Sequence, residues 1–280
     1  MRLSKITAAL VAALVGIGTF LALGGVAYAD QPRPWEMGFQ APVTPVMQRI
    51  ENFHDFVQVI IVAIAALVLA LLVIVIVRFN ARANPTPSRT THNTVIEVAW
   101  TVVPILILLV IAVPSFKLLY FEDKAQNPDM TIKVTGHQWY WSYQYPGKGN
   151  MQFDSIVVQD SDLKPGQPRL LTVDNPLVVP VNATVRVLLT GADVIHDWSV
   201  PAFGIKLDAV PGRLNETWFK AERTGTYYGQ CDQLCGQGHG FMPIEVKVVS
   251  KADYDTWVQS AQKQFGAAVD RPSADKVAAK

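Results

Sequence analysis

Cys231-Asp-Gln-Leu-Cys235-Gly-Gln-Gly-His239-Gly-Phe-Met242 gathers two thiols, an imidazole and a thioether within twelve residues, and these are the chain's only two cysteines. Thiolate and thioether are soft donors and imidazole suits copper, so the loop carries a copper-site donor set. The competing reading of two cysteines four residues apart is a structural disulfide. A disulfide has no use for His239 or Met242, which follow Cys235 at +4 and +7. A mononuclear blue-copper centre takes one Cys, two His and a weak axial Met; this loop holds one thiol more. Two thiolates can instead bridge two copper ions, each completed by an imidazole and a weaker axial group, which calls for a second histidine. His54 and His92 fall at the ends of apolar segments. His196, opening His196-Asp-Trp-Ser-Val-Pro201 after a strand-like run, is the stronger candidate, and His137 the weaker, because it leads an aromatic run.

The residues around these donors read as short strands. From about Met130 to Val249, β-rich runs alternate with turn signals. Thr131–Thr135, Arg169–Val173, Thr184–Thr190, Thr217–Lys220, Thr226–Tyr228 and Ile244–Val249 are the expected strands, punctuated by Pro146-Gly147, Pro165-Gly166 and Pro211-Gly212. The pattern predicts a β-sandwich or barrel over 129–250. Gly136-His-Gln-Trp-Tyr-Trp-Ser-Tyr-Gln-Tyr145 supplies either core anchors or, where exposed, an apolar docking patch with a tryptophan able to relay electrons. A helix from Lys251 to about Gln264, packing through Ala252, Tyr254 and Trp257, and an Ala-, Lys- and Asp-rich tail complete 251–280.

Ahead of this domain the chain is apolar, which accounts for a mean hydropathy of +0.22. Arg2 and Lys5, an apolar run from Ile6 to about Val26, and Ala27-Tyr28-Ala29 form the pattern of an export signal over 1–29; an uncleaved membrane helix is the alternative. An outer segment, 30–55, follows. Phe56–Val77 carries no charge and is long enough, at about 33 Å of helix, to cross the hydrocarbon core. Val98–Phe116 is a second such run and contains Pro104 and Pro114, tolerated where neighbours satisfy the freed carbonyls. Membrane helices are expected over 56–78 and 95–119, against the alternative of a buried soluble hairpin. The loop between them, 79–94, holds Arg82 and Arg89, follows Arg78 and contains no acid, so it is expected to be cytoplasmic, with both termini on the outer side. A formal net charge of +1, with no basic run, excludes an electrostatic nucleic-acid binder.

Taken in order, Glu97-Val-Ala-Trp-Thr-Val-Val-Pro104, Gly136–Tyr143, Leu170-Leu-Thr-Val-Asp-Asn175, Val194–Pro201, Asp208-Ala-Val-Pro-Gly-Arg-Leu-Asn215 and Tyr227–Ile244 resemble subunit II of the bacterial and mitochondrial aa3-type haem–copper cytochrome c oxidases. The likeness covers nearly the whole mature chain. It implies a two-helix transmembrane hairpin followed by an all-β cupredoxin-like barrel, in a bacterial inner membrane with the domain in the periplasm. It implies a binuclear CuA centre bridged by Cys231 and Cys235, with His196 and His239 terminal, and with Met242 and the Gln233 carbonyl axial. It implies Trp139 and Tyr140 as the point where electrons enter from cytochrome c, and Glu97 as the mouth of the K proton pathway. The partners implied are subunits I and III, with haems only in subunit I, where oxygen is reduced and protons are pumped. Relatives often carry Glu at the positions of Gln233 and Gln144. The first change removes a charge from a Mg²⁺ site shared with subunit I, and the second trims the acidic surface offered to cytochrome c. Two other readings remain. A copper-delivery protein would have a thioredoxin-like domain and one anchor. A quinol oxidase subunit would lack the copper-ligating side chains.

Overall fold

The computed structural model describes residues 28–123, 125, 127–149 and 151–266. The expected signal peptide lies outside the described residues except at Tyr28 and Ala29. These two, with Asp30, form β1 (Tyr28–Asp30).

Helix α1 (Pro45–Arg78) begins well before the charge-free run that predicts it. Thr44 caps its first turn, accepting the Met47 N–H at 3.0 Å, and Pro45 suits a first-turn position that has no use for an N–H. Asn80 ends it, donating to the Ile76 and Val77 carbonyls. Helix α2 (Thr94–Asp123) starts where Asn93 Oδ1 accepts the N–H groups of Val95 and Ile96, and it runs on through Pro104 and Pro114. Both helices are long and apolar enough to cross a membrane.

The β-domain is two packed sheets. One has the order β5 (Leu177–Pro180), β11 (Pro243–Val249), β10 (Gly225–Cys231), β7 (His196–Val200), β8 (Ile205–Ala209), with β1 paired to the start of β10. The other has the order β4 (Met151–Ser155), β3 (Tyr140–Tyr145), β2 (Met130–His137), β6 (Thr184–Gly191), β9 (Asn215–Lys220). Alternate residues of β2 and β6 point inward: Ile132, Val134, Val185, Val187 and Leu189 are buried, as period-two patterning requires. Trp141, Tyr143, Tyr145, Trp198 and Phe219 fill the space between the sheets. The aromatic run is therefore mostly core.

One expected strand is absent. Arg169–Val173 forms a turn, with Leu171 and Thr172 N–H both donating to the Pro168 carbonyl and Leu170 at φ 61°. Pro168 and Pro176 bracket the segment, only Val173 bridges to Val157, and the strand forms four residues later as β5. The C-terminal helix α3 (Lys251–Phe265) packs through Tyr254, Val258 and Ala261, whereas Ala252 points outward because it falls off that i, i+4, i+7 stripe.

Hairpin and β-domain are joined at several points. Thr44 Oγ1 donates to the Phe203 carbonyl at 2.7 Å, and Val43 N–H to Ala202 at 3.1 Å. Trp218 Nε1 donates to the Phe121 carbonyl at 3.0 Å, and the Arg49 guanidinium sits 3.5 Å over the Phe121 ring. Gly204 lies so close to Met47 and Ile50 that a Cβ there would meet Ile50 at 2.7 Å.

Candidate metal centre

The donors converge at one end of the domain. Cys231 is the last residue of β10, His196 the first of β7, and Met242 immediately precedes β11. The intervening loop doubles back because Gly236 takes φ 120°. Cys231 and Cys235 Sγ lie 3.8 Å apart as free thiols. Cys235 Sγ is also 3.6 Å from His239 Nδ1 and 3.5 Å from Met242 Sδ, and Cys231 Sγ is 3.4 Å from the Gln233 carbonyl. Among the described residues, His196, Cys231 and Cys235 are the one Cys/His/acid group whose ligand atoms all lie within 4.8 Å of one another.

Three observations test whether this set fits a metal. His196 is wholly buried, and its Nδ1 has no hydrogen-bond partner, an orphan that a metal would satisfy. Its Nε2 is engaged by Asp193 Oδ1 at 2.7 Å, the outer carboxylate that orients many ligating imidazoles. The donors are soft throughout, with Met242 buried against the thiols. The set fits copper. Burial, and then the neighbouring Cys231 thiol, push Cys235 up to about 12. The Cys235 thiol therefore keeps its proton until a bound cation displaces it.

The scaffold around the donors is tight. Gly136 backs onto the imidazole, and a Cβ there would lie 2.8 Å from His196 Cδ2. Trp141 meets the same ring edge-on at 5.9 Å between centroids, and its Nε1 donates to the Met242 carbonyl at 3.2 Å. Gln138 Nε2 and Trp139 Nε1 both donate to the Cys235 carbonyl, at 2.8 and 3.3 Å. Trp139, half-buried, lies flat against Gly238, where a Cβ would come within 2.5 Å of the indole. Gln138 N–H donates to the second oxygen of Asp193 at 2.7 Å. Burial opposes ionisation of Asp193, but the His196 hydrogen bond and those from the Val194 and Gln138 N–H groups outweigh it and hold the carboxyl below its usual range.

His137 does not join the donors. Its Nε2 faces Ser142 Oγ at 3.2 Å, and its ring stacks on Tyr140 at 4.5 Å. Glu97 is at the far end of the molecule, in the first turn of α2, accepting the Asn93 N–H at 3.2 Å. The Gln233 side chain is exposed. Asp193, Gln138 and Trp141 escaped the sequence reading. Only the i, i+3 spacing of Asp193 and His196 hinted at one of them.

Two helices long and apolar enough to cross a membrane, carrying a two-sheet cupredoxin-type domain with two thiols and an imidazole converging at one end, define a membrane-anchored protein with a candidate copper site. Residues 130–249 match the family described as cytochrome c oxidase subunit II, periplasmic domain, and residues 32–118 match its transmembrane domain. The probable cytochrome c oxidase subunit 2 of Rickettsia bellii is 52% identical over 250 residues, spanning 89% of this chain and 92% of that protein. The cytochrome c oxidase subunit 2 of Cyanidium caldarium is 47% identical over 236 residues, spanning 82% of this chain and 92% of that one. The crystal structure of the periplasmic domain of subunit II of cytochrome oxidase of Bradyrhizobium japonicum is 57% identical, covers 51% of this chain and 99% of its own, and superposes with a TM-score of 0.48. The chain belongs to the cytochrome c oxidase subunit II family. It is a membrane protein and a subunit of that haem–copper oxidase complex.

Proposed function

We propose that this subunit takes electrons from cytochrome c at a binuclear CuA centre and hands them to the haem of subunit I, where oxygen is reduced and protons are pumped. The observation that carries this reading is the buried, unpartnered Nδ1 of His196 beside two free thiols 3.8 Å apart. Cys231, Cys235, His196, His239, Met242 and the Gln233 carbonyl would together hold the two ions. Bound there, the copper pair supplies a one-electron couple. The chain's own residues keep that couple's geometry fixed: Asp193 locks the His196 ring, Trp141 fixes the Met242 backbone, and Gln138 pins the Cys235 carbonyl. Rigid support of this kind lowers the rearrangement needed on each transfer.

Trp139 is the residue through which electrons enter, with Tyr140 beside it, since its indole spans from the surface to the Cys235 carbonyl. Docking of a basic cytochrome is electrostatic in part and weakens with salt, less steeply for Gln144 than for a carboxylate there. The domain lies in the periplasm with both termini outside, and Glu97 opens the K pathway on the inner side while serving this chain as a helix cap. Subunits I and III are its neighbours in the inner membrane. Any Mg²⁺ shared with subunit I is held weakly, because Gln233 offers an uncharged oxygen; tight stoichiometric Mg²⁺ on Gln233 in the whole complex would count against this.

The deciding experiment loads the purified full chain with copper and records absorption and EPR. A purple, mixed-valence spectrum is expected. Uptake of a single Cu(I) with no such spectrum would shift the reading to copper delivery.

A further inference from the structure

The segment ahead of α1 holds two apolar side chains that no described residue covers: Trp35 is 98% exposed and Met37 97%. Both ends of the segment are tied to the β-domain. Asp30 pairs with Tyr227, Val43 N–H donates to Ala202, and Arg223 donates to the Pro42 carbonyl at 2.8 Å. Between these ties the chain makes an excursion along α1. Its depth is marked by Phe39, whose ring meets His54 edge-on at 4.8 Å. His54 stands two residues before Phe56, where the charge-free run of the first span begins. Phe39 is therefore level with the start of the hydrocarbon, and Trp35 and Met37 are four and two residues away from it.

The excursion is shaped to hold these side chains out. Arg33-Pro34-Trp35-Glu36 is a turn in which Glu36 N–H donates to the Arg33 carbonyl at 3.1 Å and Arg33 N–H to Glu36 Oε2 at 3.2 Å. Pro34 suits the second position of such a turn, but Trp35 takes φ 62° at the third, where glycine costs least. A bulky ring in the left-handed region points to a role for the ring itself. Tryptophan at the edge of a hydrocarbon layer is enriched because its indole is apolar in body and polar at one atom.

We propose that the Arg33–Glu36 turn and Met37 sit in the phospholipid headgroup layer beside the first span, with Trp35 and Met37 as interfacial anchors. The test places p-benzoylphenylalanine at Met37 in the assembled oxidase in its native membrane, followed by illumination and mass analysis of the peptide around it. A phospholipid adduct is expected, together with its loss in Trp35→Gly, which removes the ring while suiting the turn. Cross-linking to any protein chain, absence of an adduct, or a lipid adduct that survives Trp35→Gly would each overturn the proposal. If the labelled Met37 variant does not assemble, the same label at position 35 reads the same contact. The copper spectrum and turnover stay unchanged in both variants, so failure here is distinguishable from failure of the copper reading.

Discussion

The metal end of the β-domain and the helical hairpin solve opposite problems. At the metal end, polar and soft side chains are buried: His196 and Asp197 are almost wholly enclosed, as are both thiols and Met242. Each is positioned by contacts the chain makes with itself. In the hairpin the apolar side chains face outward, with only Val46 and Met47 of α1 and none of α2 buried. The first region carries its own solvent and the second borrows one, the hydrocarbon of the bilayer. A change at the metal end should therefore show in the spectrum of the centre, and a change in the hairpin in whether the chain inserts.

His196→Ala is the largest expected break: it should abolish the purple spectrum while leaving insertion intact, and an unchanged spectrum would send the search for a second imidazole to His137. Leu67→Arg, in the middle of the first span, should penalise insertion by about 2.5–3.5 kcal/mol, while whatever protein does insert keeps its copper spectrum; loss of the spectrum in the inserted fraction would blur the division. Asp193→Asn keeps the size of the group but not its charge, and a drop in copper affinity of about 10–100-fold is expected on titration. A smaller effect concerns His137. Burial lowers its pKa from the ordinary 6.5, against the pull of Asp154 and Asp193. The unfolded chain then binds the proton more readily than the folded one, so stability should decline as pH falls below about 6.5. His137→Gln should flatten that decline in chemical denaturation, and an unchanged slope would place its origin elsewhere.

Much of this was legible because it depends on local pattern. Charge-free runs of the right length locate α1 and α2, period-two alternation locates β2 and β6, and the spacing of Cys231, Cys235, His239 and Met242 carries its chemistry in one loop. What was not legible depends on contacts distant in the chain. Arg169–Val173 has strand composition, but the neighbouring prolines and the Pro168 carbonyl turn it. Gln138 and Trp141 look like part of an aromatic run, and only the folded sheets bring their donors to the carbonyls of Cys235 and Met242, nearly a hundred residues away or more. His196 stands out as a candidate because two thiols call for a further imidazole, while its orphaned nitrogen is a property of packing that spacing does not carry.

The joint between hairpin and β-domain bears on how fast an electron can leave. Transfer between separated centres weakens steeply with the gap, so any rocking of the domain would spread the rate over a broad range. Here Thr44 grips the Phe203 carbonyl, Trp218 grips that of Phe121, Arg49 caps the same ring, and Gly204 lets Met47 and Ile50 seat without a spacer. Fastened on both helices, the domain rides on the membrane as one piece. On the proposed reading, the donors are thereby held at one height over the membrane, and the gap to an acceptor in subunit I varies less from turnover to turnover.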